Sequence, residues 1–149
     1  MIEPFTVSVS DSEVEEIYNK VKNYSWKEMP NLDGWECGSN FNYMKEFSKY
    51  WISKFDWKKQ EAEINKFSNF ITNVDDIDIH FIKEKGSGSS PMPLLILHGW
   101  PGSIVEFLNI IEKLAHPERF GGKKEDSFDV IVPSLPGFGF SGSPKKPIG

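Results

Sequence analysis

The sequence is poor in the residues that carry most covalent and metal chemistry. A single cysteine, Cys37, occurs in 149 residues, which excludes an internal disulfide and offers no thiolate cluster for a metal. A chain held in the reducing cytosol fits that usage. Basic residues are outnumbered, 17 against 22 acidic, for a net charge of −5. No basic stripe is therefore available to displace counterions from a phosphate backbone, and nucleic acid is excluded as a partner. Residues 1–30 show no basic stretch leading into an apolar core, and no apolar run approaches the roughly eighteen residues of a membrane span. The expectation is a soluble, cytoplasmic chain without a membrane span, in which the sequon Asn23-Tyr24-Ser25 is a chance match.

What the sequence has in excess is aromatic surface: 14% of residues, with five Trp and twelve Phe. That excess predicts an apolar-walled interior or a face that packs on another domain. The remaining composition, 38% hydrophobic and 26% charged, is that of an ordinary globular chain long enough for one sizeable core.

The chain is organised around Pro93 to Ser103. Leu94 to His98 form a nearly unbroken apolar run, the pattern of a strand buried on both faces of a parallel sheet. The run breaks at Gly99, turns through Trp100 and Pro101, and restarts at Ser103 and Glu106 with capping-box spacing. A turn at the carboxyl end of a sheet strand presents backbone N–H groups to the crevice beyond it. The donor here is the Trp100 N–H, because Pro101 has none. Alone, Gly-Trp-Pro-Gly is a plain strand-to-helix connection; its context gives it weight.

Upstream, Phe5 to Val9 alternates as a short half-buried extended segment. Ser10 then caps a helix carrying Val14, Ile17, Tyr18 and Val21. Trp26 to Asn40, with Met29-Pro30-Asn31-Leu32-Asp33-Gly34 inside it, reads as a loop. Tyr43, Phe47, Tyr50, Trp51 and Phe55 give an aromatic helix, and Asp56 caps another that runs to about Phe67. Phe70–Val74 and Ile77–Ile82 read as a hairpin turning at Asp75-Asp76. Gly86 to Pro91 reads as a flexible turn. After the Ser103 helix, with Ile104, Phe107, Leu108, Ile111 and Leu114 on one side, Phe128–Val132 is a second buried strand. Strand, helix and strand make a right-handed βαβ unit. A helical part, 1–68, thus precedes a sheet-based part, 69–149.

Gly137-Phe138-Gly139-Phe140-Ser141-Gly142 matches the dinucleotide fingerprint Gly-x-Gly-x-x-Gly. That motif needs a helix opening at its glycines, and Pro144 and Pro147 oppose one. The match is a decoy.

Taken together, Pro4-Phe5-Thr6-Val7-Ser8-Val9, the Phe55-Asp56-Trp57 to Phe67 helix, Ile79-His80-Phe81, His98-Gly99-Trp100-Pro101-Gly102-Ser103 and Pro133-Ser134-Leu135-Pro136-Gly137-Phe138-Gly139-Phe140-Ser141 resemble, in this order, the microsomal-type epoxide hydrolases of the α/β-hydrolase superfamily. The resemblance implies an α/β fold in which 1–68 is the family's helical, meandering amino-terminal region and 69–149 the first strands and first helix of the hydrolase core. It implies conversion of a small apolar epoxide to a vicinal diol. A carboxylate opens the ring to an alkyl-enzyme ester while two cap tyrosines hydrogen-bond the epoxide oxygen. A histidine oriented by an acid then activates water against the ester, with no metal or organic cofactor. In that scheme the Trp100 N–H belongs to the oxyanion hole, His98, Gly99 and Pro101 support its turn, and Pro101 follows a cis peptide.

The same likeness puts the nucleophile after Ser141, and the tyrosines, acid and base further on. His80, His98 and His116 are then structural, as are Asp75, Asp76 and Asp129. The chain reads as the amino-terminal portion of such an enzyme, inactive alone, truncated as a product or a gene model, and self-associating through an unpaired sheet edge. Two alternatives stay open. A related α/β-hydrolase, a dehalogenase or esterase, would share the turn but not the helical preamble; a non-catalytic remnant would bind a homologue or an apolar ligand through its aromatic surface.

Overall fold

The computed structural model describes residues 1–28, 34–36 and 38–146. The loop reading at Met29 to Asp33 and the isolation of Cys37 lie outside the described residues. Contacts divide the chain into two compact units, Met1–Val7 with Glu61–Gly149, and Ser8–Gln60.

The first unit is built on a five-stranded sheet of β1 (Glu3–Phe5), β2 (Asn69–Val74), β3 (Ile77–Glu84), β4 (Met92–Leu95) and β5 (Phe128–Pro133), in the order β1-β2-β3-β5-β4. The hairpin turns where expected. Val74 pairs with Ile77, and Asp75 and Asp76 between them both take positive φ, 49° and 62°, as a tight two-residue turn requires. β3 pairs antiparallel with β5, whereas β4 and β5 run parallel with α4 (Leu108–Ala115) between them in sequence. One face of the sheet is sealed: Ile82, Val130 and Val132 are fully buried, as are Ile111 and Ala115 of α4. The capping box at Ser103 forms, but its first turn, Ile104–Phe107, is a 3-10 turn that widens into α4.

The expectation of a strand buried on both faces fails for β4. Met92, Leu95 and Leu97 are exposed and Leu94 and Ile96 half-buried; among the described residues β4 pairs with β5 alone. The first half of the Gly86 to Pro91 turn is tied to neighbouring elements. Gly86 N–H donates to Asp129 Oδ1 (2.7 Å), Ser87 N–H to the Ala115 carbonyl (3.0 Å) and Gly88 N–H to Ser127 Oγ (2.8 Å). Three successive amides are thereby satisfied from neighbouring elements, a fixation that a local run of Gly and Ser does not reveal.

Val7 is buried, and the Asn65 side chain brackets it: Val7 N–H donates to Oδ1 (2.9 Å) and Nδ2 donates to the Val7 carbonyl (2.8 Å). A side-chain amide here stands in for a neighbouring strand. The second unit holds α1 (Asp11–Lys22), capped by the Ser10 side chain at the Glu13 N–H, and α2 (Phe41–Ser53), capped by Asn40 at the Tyr43 N–H. α3 (Trp57–Ile64) starts at Asp56 as expected but ends at Ile64, short of Phe67. Rings from Trp35 through Tyr43, Phe47 and Trp51 to Phe55 stand 5.2 to 6.4 Å apart, centroid to centroid.

Candidate active site

Parallel strands deliver their carboxyl ends to the same side of a sheet, so the turns leaving β4 and β5 are neighbours. They are joined by His98, which is 4% exposed. The Leu135 N–H donates to His98 Nε2 at 3.1 Å, which requires that nitrogen to be unprotonated. The proton of the neutral ring therefore sits on Nδ1, which donates to the Gly99 carbonyl at 3.1 Å. Phe138 closes the ring's flank edge-on, 5.3 Å between centroids.

The bond to Gly99 has a direct consequence for Trp100. The Gly99 carbonyl and the Trp100 N–H belong to one trans peptide, in which the two point in opposite directions. Anchoring the carbonyl on His98 turns the amide away from it. Trp100 is 84% exposed, and its N–H meets no protein acceptor among the described residues. The Trp100–Pro101 peptide is cis, as the family resemblance implies. At Gly102 an added Cβ would run into the Glu106 carboxylate and stand 2.8 Å from the Gly99 carbonyl, so the turn closes on itself with room for hydrogen only. The Ser103 N–H donates to that same Glu106 carboxylate at 3.0 Å.

The loop after β5 is gripped from the other side by His80, which is fully buried. Asn69 sets the ring's polarity. Both Asn69 Nδ2 bonds go to main-chain carbonyls, of Ile64 (3.0 Å) and Phe67 (2.8 Å), so its Oδ1 faces His80 Nε2 at 2.9 Å and accepts. His80 Nδ1 is then the acceptor for the Ser134 hydroxyl, 2.9 Å away. Burial among Phe5, Phe140 and the sheet lowers the His80 pKa to about 4. Ser141 completes the fastening: its hydroxyl donates to the Ser134 carbonyl (2.7 Å) and accepts the His80 N–H (2.9 Å).

The structure thus brings His80, His98, Gly99 and Trp100 to one pair of loops and leaves the other candidates elsewhere. His116 ends α4 and bonds Glu84 at 2.9 Å, and Asp129 serves the Gly86 turn. The fingerprint glycines answer to the loop itself. Gly137 and Gly139 take φ of 81° and 52°, and an added Cβ on Gly139 would lie 2.7 Å from Ser134 Oγ. No helix follows the motif among the described residues. The sequence motif contains Ser134, Leu135 and Ser141 but assigns them, and Asn69, no contact. Their partners lie up to 61 positions away, and no local period encodes such distances.

A family model described as "Epoxide hydrolase N terminus" matches residues 2–107, and one described as "alpha/beta hydrolase fold" matches residues 92–148. The chain is 38% identical over 145 residues to a "Putative epoxide hydrolase" of Stigmatella aurantiaca and 40% identical over 149 to "Epoxide hydrolase 1" of Oryctolagus cuniculus; each match covers 97% of this chain and 33% of the relative. It therefore spans about a third of the length of these relatives. Among solved structures, the Aspergillus niger epoxide hydrolase superposes with a TM-score of 0.83 at 31% identity, covering 100% of this chain and 39% of that one. The juvenile hormone epoxide hydrolase of Bombyx mori does so with 0.84 at 32% identity, covering 99% and 39%.

Proposed function

This chain belongs to the epoxide hydrolase family, and from that premise we propose that it forms the amino-terminal portion of an enzyme that adds water to small apolar epoxides to give vicinal diols. The reaction runs in two steps. A carboxylate attacks a ring carbon, an ester bond forms, the ring C–O bond breaks, and the departing oxygen takes a proton from a tyrosine. Water, losing its proton to a histidine, then adds to the ester carbonyl; the tetrahedral oxyanion collapses as the ester C–O bond breaks, the proton of the added hydroxyl passes to the leaving oxygen to release the diol and restore the carboxylate, and the histidine's proton returns to the tyrosinate.

The contribution of this chain is the second step's anion site. The observation that carries the reading is the Trp100 N–H, which stands in the turn beyond the carboxyl end of β4 without a protein acceptor among the described residues, while its peptide carbonyl is fixed by His98. A preorganised donor of this kind contributes about 3 to 4 kcal/mol to a transition state that develops charge on oxygen. The carboxylate, base and tyrosines are supplied from outside these residues, so the chain alone turns nothing over. No step calls for a metal or an organic cofactor.

The test is a chimera in which this chain replaces the matching third of the Oryctolagus cuniculus relative. It forms the diol through an ester that can be trapped. Replacing the Trp100 N–H by an ester oxygen, using the hydroxy-acid analogue of tryptophan, slows ester hydrolysis by about a hundred- to a thousandfold and leaves ester formation intact. Unchanged ester hydrolysis removes the role assigned to Trp100.

A further inference from the structure

One path of hydrogen bonds runs from β3 through the loop after β5 to the Trp100 turn, with every member donating in the same direction. The His80 N–H donates to Ser141 Oγ (2.9 Å), and the Ser141 hydroxyl donates to the Ser134 carbonyl (2.7 Å). Across that same peptide, the Leu135 N–H donates to His98 Nε2 (3.1 Å), and His98 Nδ1–H donates to the Gly99 carbonyl (3.1 Å). Across the next peptide stands the Trp100 N–H, which is left without a protein acceptor among the described residues. Peptide, hydroxyl and imidazole are each polarised by the donation they receive and become better donors in turn. Nothing in the chain can reverse it, because it begins and ends on main-chain amides.

We infer that Ser141, His98 and the two peptides between and beyond them form a one-way hydrogen-bond relay that orients and strengthens the Trp100 N–H as an anion donor, which makes Ser141 a positioning residue for the reaction. The inference rests on the reading of Trp100 given above, but its own content is a tautomer and a polarised amide. A merely structural Ser141 would need only to fill space and hold the loop. A relay requires its hydroxyl proton to lie toward Ser134 and requires His98 to carry its proton on Nδ1.

Nitrogen-15 spectra of the wild-type chain decide the first requirement without any variant: His98 shows Nδ1 protonated and Nε2 bare, and the reverse tautomer overturns the relay. The second comparison sets Ser141→Ala against Ser141→Thr. In Ser141→Ala the Leu135 and Trp100 amide protons move upfield while His98 keeps its tautomer, held by the Leu135 N–H, whereas Ser141→Thr keeps both amide signals in place. If Ser141→Ala leaves them unmoved in a folded chain, the relay is overturned. In the chimera, Ser141→Ala slows ester hydrolysis about two- to fivefold with KM and ester formation unchanged, and Ser141→Thr restores the rate. Spectral changes with an unchanged ester-hydrolysis rate leave the relay standing and refute instead the use of Trp100 as the oxyanion donor.

Discussion

The His80 imidazole and the Ser134 hydroxyl meet at 2.9 Å, the first fully buried and the second 1% exposed. With Asn69 on the far ring nitrogen, the arrangement has the order nucleophile, base and orienting amide. Its chemistry is the opposite. No substrate reaches an atom so sealed, and a ring whose pKa is lowered to about 4 is a poor general base near neutrality. The group is a clasp that ties the loop after β5 to the middle of the sheet.

That clasp predicts a particular loss of stability in acid. An unfolded histidine binds its proton near pH 6.5, while folded His80 stays neutral down to about 4. Between the two values the unfolded chain holds the extra proton, so the contribution is complete above about pH 6.5, declines as pH falls, and is gone below about pH 4. The span corresponds to about 3 kcal/mol. Urea titrations across this window measure it, and His80→Asn should flatten the slope. A wild-type slope that survives the substitution would assign the loss to other groups.

Much of this organisation was legible because it is written locally. Ser10, Asn40 and Ser103 cap their helices, Asp75-Asp76 turns the hairpin, and the glycines and Pro101 shape the turn at Trp100. What escaped is written across the chain. Leu94 to His98 has the composition of a strand covered on both faces, yet cover is a tertiary fact, and among the described residues Leu95 and Leu97 stand exposed. Ser134 and Ser141 look like ordinary loop serines until His80, more than fifty positions upstream, is folded against them. For the same reason Gly86-Ser87-Gly88 reads as slack in sequence and is pinned in space by residues 115, 127 and 129.

Gly139→Ala should cost far more than a surface substitution. Its φ of 52° already disfavours a side chain, and the new methyl would press on Ser134 Oγ at 2.7 Å, the atom His80 holds. Gly121→Ala provides the control, with φ of 87° and nothing within 4 Å of the added carbon. Backbone strain alone costs about 1 to 2 kcal/mol. Thermal melts that place the Gly139 variant no lower than the Gly121 one would show that the clasp yields freely.

Asn65→Ala removes both bonds that bracket Val7 and leaves a buried main-chain N–H and carbonyl without partners. A loss of about 1 to 3 kcal/mol is expected, together with faster hydrogen exchange at the Val7 amide. Asn65→Asp separates the two bonds. It keeps an acceptor for the N–H but sets a carboxylate against the Val7 carbonyl, so it should recover little. Full recovery by Asp would mean that only the N–H needed a partner.

The edge strand makes the last prediction. Met92 is 66% exposed and Leu95 59%, on a strand whose outer side offers unpaired main-chain groups among the described residues, and Leu97, two residues beyond it, is 55% exposed. Apolar side chains beside an open ladder invite pairing with another chain, and a lysine at such an edge opposes it. The 149-residue chain should therefore associate as its concentration rises in sedimentation velocity, and Leu95→Lys with Leu97→Lys should return it to monomer. The helical unit offers a rival surface, since Trp35 is 59% and Tyr43 52% exposed. Trp35→Ser with Tyr43→Ser tells the two apart: association relieved by the serines and not by the lysines would place the contact on the aromatic ladder and leave β4 a tolerated edge.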